Sequence, residues 1–300
     1  MKKVSVIIIN YNSSNYTLNC IKSLKKFHED YFLLEIIVVD NNSENNDYIK
    51  LVNGLKKHSI FKLKRSIINS GFSGGNMLGA QYANGDYFLF LNNDVVLNNK
   101  ALSIAYDFME SQANIGVCTA QNFDENNNFI PSYDHHKGLR KLIFGRSFLE
   151  SLNSKKYPNR KQPHIKPIEV DFVNGAFMFF KKEAFEKVGG FDTNIFLYFE
   201  EMDICFNLQK NGWKCALLPE AKIIHFLGAS TEQNKFIKQE GLISYLYVIK
   251  KNYSYLKFKT ILSYLFITFL FKPKKWKLFP VILKGGSLSS SIKQKQIIRF

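Results

Sequence analysis

Residues 85–94 read Gly-Asp-Tyr-Phe-Leu-Phe-Leu-Asn-Asn-Asp, a hydrophobic run of buried-strand length that ends in two amides and a carboxylate. In a parallel sheet, such a strand delivers its last residues to the carboxyl edge, where open α/β folds bind their ligands. We therefore predict an α/β fold with a ligand site at this edge, to which Asp94 contributes a metal-binding carboxylate.

The segments that precede this strand alternate between apolar runs and polar, helix-compatible runs, as a parallel sheet with crossover helices requires. The predicted strands are Val4–Ile9, Glu35–Val39 and a short one near Phe61–Ile68. The predicted helices are Ser14–Lys26 and Asp47–Lys57. A glycine-rich loop at residues 69–76 opens a third predicted helix, which runs through Ala83.

Several polar groups converge on one edge of this predicted sheet. Asp40 ends the second strand, Asp94 ends the fourth, and the glycine-rich loop lies between them. A carboxylate at a strand end can accept hydrogen bonds from a base or a ribose, and a glycine-rich loop that enters a helix offers backbone N–H groups to a phosphate. The pattern therefore predicts a nucleotide diphosphate as the ligand.

The second half of the chain begins with a segment of little periodicity. Residues 121–167 are rich in Asn, Lys and His, which predicts loops and short helices over the site. The pair His135-His136 lies there and is expected to be solvated rather than metal-binding. Order resumes with a predicted strand at Val170–Phe180 and a helix at Lys182–Val188.

A group of acids opens the next predicted helix, which Asn211-Gly212 stops. The helix dipole alone would favour the three carboxylates Glu200, Glu201 and Asp203 at this position. However, the aromatic run at residues 196–199 leads straight into them. Aromatic walls would raise the pKa of a carboxyl group and shape a pocket of sugar size, which suits a general base.

The formal charge of +16 is unevenly distributed along the chain, since residues 241–300 contain twelve Lys or Arg and no Asp or Glu. These charges flank the apolar run Ile261–Phe271, which is short for a bilayer crossing of about twenty residues. Aromatic residues beside lysines favour an element on an anionic membrane surface over nucleic-acid binding. The alternative is a helix that packs on the core with a solvated basic face.

The cysteines and the first residues bear on the compartment. Cys20, Cys118, Cys205 and Cys215 are scattered without a C-x-x-C pair, which fits a reducing compartment and argues against a zinc module or a disulfide scaffold. Met1-Lys2-Lys3 is followed directly by a strand pattern, so no signal peptide is expected. We expect a cytoplasmic protein at the inner face of the cell membrane.

Taken in order, the motifs of the chain resemble those of one enzyme family. They are Val-Ser-Val-Ile-Ile-Ile-Asn-Tyr-Asn at 4–12, Val-Val-Asp-Asn-Asn-Ser at 38–43, Asn-Ser-Gly-Phe-Ser-Gly-Gly-Asn at 69–76, Leu-Asn-Asn-Asp at 91–94, Gly-Gly-Phe-Asp at 189–192, Tyr-Phe-Glu-Glu-Met-Asp at 198–203, Asn-Gly-Trp at 211–213 and Ile-His-Phe-Leu-Gly-Ala-Ser at 224–230. Over roughly residues 4–231 the chain resembles the inverting family 2 glycosyltransferases with the GT-A fold. It is similar in particular to rhamnosyltransferase-like members that build bacterial surface polysaccharides.

The resemblance implies a donor site for a nucleotide sugar and a divalent cation, Mn²⁺ or Mg²⁺. Asn92-Asn93-Asp94 takes the place of the family's D-x-D motif, with an asparagine at its other acidic position. Asp94 would bind the cation, and His225 is a further metal or phosphate ligand or, alternatively, a hydrogen-bonded core histidine. The residues implied at the donor are Asn10, Tyr11, Asp40, Asn42, Asn69, Gly71, Phe72, Asn76, Asn92 and Asn93.

The same resemblance implies the catalytic and acceptor-side residues. Glu201 falls at the family's catalytic aspartate and would act as the general base. The acceptor-side residues would be Asn174, Gly175, Glu200, Asp203 and Trp213. The implied acceptor is a hydroxyl of a glycan or of a polyprenyl-diphosphate-linked glycan.

The implied domain organisation has two parts. Residues 1–235 would form the GT-A domain, with a nucleotide-sugar-binding half at 1–120 and an acceptor-binding, catalytic half at 121–235. Residues 236–300 would form a basic, aromatic helical region that associates with an anionic membrane surface.

Three alternatives compete with this interpretation. Residues 71–75 satisfy the G-x-S-x-G pattern of α/β-hydrolases with Ser73 as nucleophile, and Asp192 and His225 follow in the expected order. However, the preceding strand is only half apolar and no H-G-G-G segment lies upstream. A dinucleotide-binding oxidoreductase lacks its G-x-G-x-x-G after the first strand. A catalytically inactive, glycan-binding relic of the transferase fold is the third alternative.

Overall fold

A computed structural model describes residues 1–56, 61–226 and 235–299 of the chain. The strands are β1 (Lys3–Asn10), β2 (Leu33–Asp40), β3 (Phe61–Arg65), β4 (Tyr87–Asn92), β5 (Val95–Leu97), β6 (Ile115–Phe123), β7 (Phe129–Ile130), β8 (Tyr133–Asp134), β9 (Ile168–Val170), β10 (Phe172–Val173), β11 (Phe177–Lys181) and β12 (Lys214–His225).

Helices cover both faces of the sheet and form most of the last quarter of the chain. They are α1 (Ser14–Lys26), α2 (Asn45–Leu55), α3 (Gly71–Ala80), α4 (Ala101–Ser111), α5 (Leu139–Phe144), α6 (Arg146–Leu152), α7 (Lys182–Lys187), α8 (Glu200–Lys210), α9 (Lys235–Asn252), α10 (Tyr255–Leu270) and α11 (Phe279–Leu283).

The main sheet has the strand order β3-β2-β1-β4-β11-β6-β12-β5. β1 runs parallel to both β2 and β4, whereas β11 is antiparallel to its neighbours β4 and β6. In the parallel register Asn10 lies opposite Asp40, and Ile9 lies opposite Asn92. The polar residues that follow these strands are therefore neighbours at one edge, and the predicted α/β fold is confirmed.

The core lies on both faces of the sheet because its central strands are apolar at nearly every position. Val4, Val6 and Ile8 of β1 pack with α1, α2 and α4 on one face. Ile7 of the same strand packs on the other face, with α3, α7 and α8. A strand that is buried on both sides reads as a continuous hydrophobic run, which explains why the sequence pattern predicts these strands well.

Four predicted elements differ from the structure. The glycine-rich segment predicted as a loop is helical from Gly71 onward. The single strand predicted at Val170–Phe180 is instead three short strands, β9, β10 and β11, which pair with different partners. The predicted third strand ends at Arg65 rather than Ile68. The second predicted helix spans Asn45–Leu55, and its predicted last residue Lys57 lies outside the described residues.

The helices after residue 235 pack on the α/β domain. Phe258, Ile261, Leu265 and Phe269 of α10 join a buried cluster that also contains Ile195 and Met202. The opposite side of α10 is exposed and apolar at residues such as Ile267 and Leu270. One face of this segment therefore packs on the domain, as the alternative interpretation expects, and its association with a membrane surface stays a prediction. Within the described residues no helix combines the length and the apolar character that a membrane crossing needs.

The segment that follows α11 returns to the carboxyl edge of the parallel strands. Ser291 Oγ donates to a carboxylate oxygen of the buried Glu240 at 2.7 Å, which anchors the segment on α9. Further along, Asn42 Nδ2 donates to the Ile297 carbonyl at 2.7 Å and Arg299 Nη1 donates to the Asn42 carbonyl at 2.8 Å.

Candidate active site

A cavity of about 720 Å³ opens at the carboxyl edge of the parallel strands. It has the volume of a small-molecule site. The structure brings thirteen of the predicted site residues to its lining, namely Tyr11, Asn69, Gly71, Phe72, Asn76, Asn92, Asn93, Asp94, Asn174, Gly175, Glu200, Glu201 and His225. Asp94 and Glu201, which the sequence assigns to opposite partners of the reaction, thus share one cavity.

Asp94 lies in the tight turn between β4 and β5, two residues beyond the end of its strand. Pairing of β5 with β12 places His225 opposite Val95, and His225 Nε2 lies 3.3 Å from Asp94 Oδ1. Both side chains are nearly buried, and neither Asp94 Oδ1 nor His225 Nδ1 makes a hydrogen bond to a described residue. A carboxylate oxygen and an imidazole are thus left to bind a ligand in the cavity.

These two side chains fit a divalent cation as part of its coordination shell. Oxygen ligands suit Mg²⁺ and Mn²⁺, and imidazole is compatible with Mn²⁺. Among the described residues no group of three or more His, Cys, Asp or Glu is arranged to hold a metal. The remaining ligands would therefore be water and phosphate oxygens of the donor. Asn93 lines the same cavity, and its Nδ2 donates to Ser13 Oγ at 2.6 Å and to Thr17 Oγ1 at 3.0 Å, which fixes the orientation of the amide.

Glu201 lines the same cavity from the first turn of α8. Burial raises the pKa of its carboxyl group, and backbone N–H groups, including that of Gly175, and the Lys137 ammonium oppose this rise. A carboxylate that has a raised pKa and still contacts hydrogen-bond donors is suited to accept a proton from an alcohol.

Glu200 is the second carboxyl group that lines this cavity and is almost completely buried. Burial and, secondarily, the neighbouring Glu201 carboxylate raise the pKa of Glu200 well above its usual value. Its Oε2 makes no hydrogen bond to a described residue. Two adjacent buried carboxyl groups do not both ionise readily, so the pair favours a state that retains one proton.

The backbone just before these acids is strained. Tyr198 and Phe199 both adopt positive φ angles, 70° and 68°. Non-glycine residues rarely adopt this conformation, and such strain concentrates at functional sites. Tyr198 lines the cavity together with Phe196 and Leu197. The aromatic run therefore does form the wall beside the carboxyl groups, as its sequence predicts.

The donor edge is organised by Asn41, a residue that the sequence interpretation missed. Its Nδ2 donates to Asn69 Oδ1 and to the Gly71 carbonyl, each at 3.0 Å, and its Oδ1 accepts from the Ser70 N–H. Gly71 has a φ of 74°, and a Cβ there would lie 2.1 Å from the Phe196 carbonyl oxygen. The position of Asn41 directly after Asp40, at the end of a strand, is the sequence signal that could have identified it.

Three predicted donor-contact residues support the edge from behind instead of lining the cavity. Asp40 is fully buried, and its carboxylate accepts from Asn10 Nδ2 at 3.1 Å and lies 3.4 Å from Arg65 Nε. Asn10 is equally buried, and it also bonds Asp47 and Thr17. Asn42 is engaged with Ile297 and Arg299. These three residues therefore do not line the cavity, and their direct contact with the nucleotide stays a prediction.

Two predicted acceptor-side residues also lie away from the cavity. Asp203 is buried and its carboxylate lies 2.8 Å from Lys251 Nζ and 2.6 Å from Asn252 Nδ2. Trp213 packs in the apolar core on one face of the sheet. Their roles are structural, since Asp203 fastens α9 to α8.

The structure also corrects the expectations for Ser73 and for the histidine pair. Ser73 is fully buried within α3, so it lacks the exposed turn of a hydrolase nucleophile. Asp192, the predicted acid of that triad, bonds Tyr247 and Lys251. His135 is buried rather than solvated, between Glu150 and Asp171, and burial is the main cause that lowers its pKa. Residues 227–230 of the last motif lie outside the described residues.

Comparison with known proteins agrees with the geometry. A family model described as glycosyl transferase family 2 matches residues 5–189. The chain is 26% identical over 267 residues to the rhamnosyltransferase WbbL of Escherichia coli K12, which covers 87% of the chain and 95% of the relative. It is 34% identical over 73 residues, 24% of either protein, to the N-acetylglucosaminyl-diphospho-decaprenol L-rhamnosyltransferase of Mycobacterium tuberculosis.

A solved structure shares the fold. The mannosyltransferase PcManGT of Pyrobaculum calidifontis, solved with GDP-Man and Mn²⁺, superimposes with a TM-score of 0.57 at 15% identity. The superposition covers 95% of this chain and 74% of that one. At this identity the similarity concerns the fold, and it supports the GT-A architecture that the motifs predict.

Proposed function

The chain belongs to glycosyl transferase family 2, and on that premise we propose that it transfers a sugar, with inversion, from a nucleotide diphosphate sugar to a glycan hydroxyl. The observation that carries this proposal is the placement of Asp94, His225 and Glu201 in the lining of one cavity. Asp94 and His225 suit the leaving diphosphate, and Glu201 suits the attacking alcohol.

The donor would bind along the edge formed by Tyr11, the Asn41–Asn69 pair and the amino-terminal end of α3. That helix begins at Gly71, where the close approach to Phe196 leaves no room for a side chain. The Gly71 and Phe72 N–H groups donate to Asn69 Oδ1 and to the Phe196 carbonyl, so the helix would favour phosphate at this end chiefly through its dipole. Asp94 and His225 would hold Mn²⁺ or Mg²⁺, which when bound supplies positive charge to the leaving diphosphate.

The transfer itself would be a single displacement. The acceptor oxygen attacks the anomeric carbon from the face opposite the diphosphate, and the bond from that carbon to the phosphate oxygen breaks. Its electron pair leaves with the nucleotide diphosphate, and the acceptor proton passes to Glu201. The centre passes through an oxocarbenium-like state, related to that of inverting glycosidases. Protonated Glu200 beside it can donate a hydrogen bond to a sugar oxygen.

The acceptor that we propose is a lipid-diphosphate-linked glycan used in bacterial cell-surface polysaccharide synthesis. The mycobacterial relative, whose name gives N-acetylglucosaminyl-diphospho-decaprenol as its substrate, supports a lipid-diphosphate acceptor. The exposed apolar side of α10 and the nearby lysines at 272, 274, 275 and 277 would hold the enzyme at the inner face of an anionic membrane.

The replacement Glu201→Gln tests the proposed base, because glutamine keeps the shape of the side chain but cannot take the proton. General-base help is typically worth about 10²–10⁴-fold, so kcat should fall by that factor. Transfer from dTDP-rhamnose, UDP-hexose and UDP-N-acetylhexosamine would be assayed with Mn²⁺, and thermal shift would report donor binding for both proteins.

Glu186→Gln provides the matched control, since its side chain is 60% exposed on α7. The control should transfer like the wild type, and Glu201→Gln should keep the donor-induced thermal shift. If Glu201→Gln transferred at the rate of the control, Glu201 would not be the base. If the wild type neither transferred nor hydrolysed any nucleotide sugar, the chain would be an inactive relic.

A further inference from the structure

A dense cluster of cations lies beside the acceptor wall, around a single buried carboxylate. Asp134 lies 2.6 Å from Lys141 Nζ, 3.2 Å from Arg146 Nε and 3.0 Å from Arg160 Nη1. Burial would raise the pKa of Asp134, but the Lys141 and Arg160 charges lower it. One carboxylate therefore faces three cations.

A fourth cation, Lys137, connects this group to the catalytic carboxylate. Its Nζ lies 4.3 Å from the centre of the Phe199 ring, and it interacts electrostatically with both Asp134 and Glu201. We name Lys137, Lys141, Arg146 and Arg160 the cationic cluster. Arg160 also interacts electrostatically with the Glu150 carboxylate, which lies 3.4 Å from His135 Nε2. Four positive charges thus face the three carboxylates Asp134, Glu150 and Glu201, which leaves an excess of one.

Burial and the neighbouring charges lower the pKa values of two cations of the cluster. Burial, with help from the neighbouring Lys137 and Arg146 charges, lowers the pKa of Lys141 to about 8 in spite of its contact with Asp134. Burial likewise lowers the pKa of Arg160, whose Nε is buried without a hydrogen bond to a described residue. An anion bound here would offset the repulsion and take up the unused N–H donor.

The backbone links the cationic cluster directly to the cavity. Asp134 of β8 pairs with Phe172 of β10, and the Asn174 N–H donates to the Ser132 carbonyl at 2.8 Å. Asn174 and Gly175, which follow β10, line the cavity, and Gly175 contacts Glu201. The cluster is therefore joined through the backbone to the part of the cavity lining that contacts Glu201.

An exposed apolar surface adjoins the same helices that supply Lys141 and Arg146. It consists of Ile143 and Phe144 of α5 with Phe148 and Leu152 of α6, and Phe144 and Leu152 are 57% and 70% exposed. The surface continues toward α10, because Tyr264 Oη donates to the Leu142 carbonyl at 2.9 Å. We name these four residues the apolar strip.

We propose that the cationic cluster binds the diphosphate of a lipid-linked acceptor and that the apolar strip contacts its lipid, so that the attached sugar reaches Glu201. This inference rests on the proposed function, whose acceptor it locates. The arginines match phosphate geometrically and electrostatically, and an apolar surface beside excess positive charge complements a diphosphate joined to a hydrocarbon chain. The donor diphosphate has its own place at Asp94 and the start of α3.

Direct binding tests this inference independently of any transfer reaction. Farnesyl diphosphate and inorganic pyrophosphate would each be titrated calorimetrically into the full chain, in the presence of saturating UDP and Mn²⁺. Wild type should bind farnesyl diphosphate more tightly than pyrophosphate. Arg146→Gln should weaken farnesyl diphosphate binding about tenfold or more, because it removes a charge-assisted contact while Lys141 and Arg160 still neutralise Asp134.

Two matched controls separate the charge from the apolar strip. Arg140→Gln removes a charge from the exposed side of α5 and should leave both affinities unchanged. Phe148→Ser should weaken farnesyl diphosphate but not pyrophosphate, whereas Ile165→Ser, at an 88% exposed position outside these helices, should change neither. A far-UV spectrum and a melting curve would show that Arg146→Gln is folded.

The inference would be overturned if wild type failed to bind farnesyl diphosphate with UDP present, or if Arg146→Gln bound it as tightly as Arg140→Gln does. Equal affinity for pyrophosphate and farnesyl diphosphate would remove the role of the apolar strip and leave a plain phosphate site. Failure of the proposed function has a different signature, which is the absence of transfer and hydrolysis by the wild type.

Discussion

The donor and acceptor sides of the cavity are built in different ways. On the donor side, Tyr11, Asn41 and Asp94 follow the neighbouring parallel strands β1, β2 and β4, and β12 adds His225. On the acceptor side, Glu201, Gly175 and Lys137 come from a helix, a turn and a loop far apart in sequence. The donor side is thus encoded by local patterns, whereas the acceptor side depends on long-range packing.

The two sides also differ in electrostatics. The donor wall offers a carboxylate oxygen and an imidazole without hydrogen-bond partners among the described residues. The acceptor wall combines two carboxyl groups of raised pKa with the cationic cluster. One side is suited to hold a diphosphate through a metal, and the other to remove a proton and to hold an anion through side chains.

Gly175→Ala should disturb the acceptor side most among the changes that leave every charge in place. A Cβ at Gly175 would lie 2.6 Å from Glu201 Oε1, so the carboxylate must move. A misplacement of about 1 Å can cost on the order of 10²-fold, and kcat should fall by about that factor. Donor affinity, measured by thermal shift, should stay the same.

Gly138→Ala is the control for this change, because its Cβ would meet nothing closer than Tyr253 Oη at 3.5 Å. Equal kcat values for the two alanine variants would mean that the position of Glu201 is not critical.

Asp94→Asn should affect the donor side alone. The amide keeps the size of the side chain but removes the negative charge that a divalent cation requires, so the Mn²⁺-dependent gain in UDP affinity should fall about tenfold or more. Calorimetric titrations of UDP with Mn²⁺ and with chelator would measure this gain. Asp30→Asn, at a fully exposed position, should retain it. An unchanged gain in Asp94→Asn would move the metal site elsewhere.

Lys251→Met should test whether the helices after residue 235 are part of the acceptor-side structure. Lys251 Nζ contacts both Asp192 at 2.7 Å and the buried Asp203 at 2.8 Å. Removing the ammonium leaves Asp203 without this partner, and the free energy of unfolding should fall by about 2 kcal/mol. This value is smaller than that for a fully buried ion pair because Lys251 is one-third exposed. Urea unfolding would measure the difference. The neighbouring exposed Lys250→Met should cost nothing, and equal stabilities would refute the bridge.

Lys137→Gln should produce the smallest effect, a shift in pH dependence. Glu201 works as a base only when ionised, so kcat falls as the pH drops through its raised pKa. The Lys137 ammonium lowers that pKa, and its loss should move the acidic limb of the kcat profile to higher pH. The kcat profiles would be measured with an acceptor that has no phosphate, so that binding of phosphate to the cationic cluster does not affect them. The control Arg140→Gln should leave the acidic limb in place. If the limb also stayed in place in Lys137→Gln, Lys137 would not act on Glu201.

The difference between the two sides also explains how far the sequence could predict the structure. Helix α1 has the predicted bounds, and Asp94 and Glu201 meet in one cavity, because hydrophobic periodicity and strand-end residues are local signals. Asp40 was assigned to the nucleotide, but Arg65, 25 positions further along, lies against it on the next strand. Asp203 was assigned to the acceptor, but α9 supplies Lys251.

Partners that are distant in sequence also account for the secondary-structure predictions that failed. The glycine-rich segment is helical from Gly71 because Asn41 holds its first residues and Phe196 accepts from the Phe72 N–H. The predicted strand at Val170–Phe180 is split because β9, β10 and β11 pair with β12, β8 and β4 in turn. These partners lie too far away in sequence for any local pattern to show them.

The most direct test of the shared cavity is a crystal structure with Mn²⁺ and a non-transferable nucleotide sugar, with the metal located by its anomalous scattering. We expect the manganese peak at Asp94 and His225, and the anomeric carbon between that peak and the Glu201 carboxylate, with space for one acceptor oxygen. A manganese peak away from Asp94, or a sugar whose anomeric carbon faces away from Glu201, would contradict the assignment of the two walls.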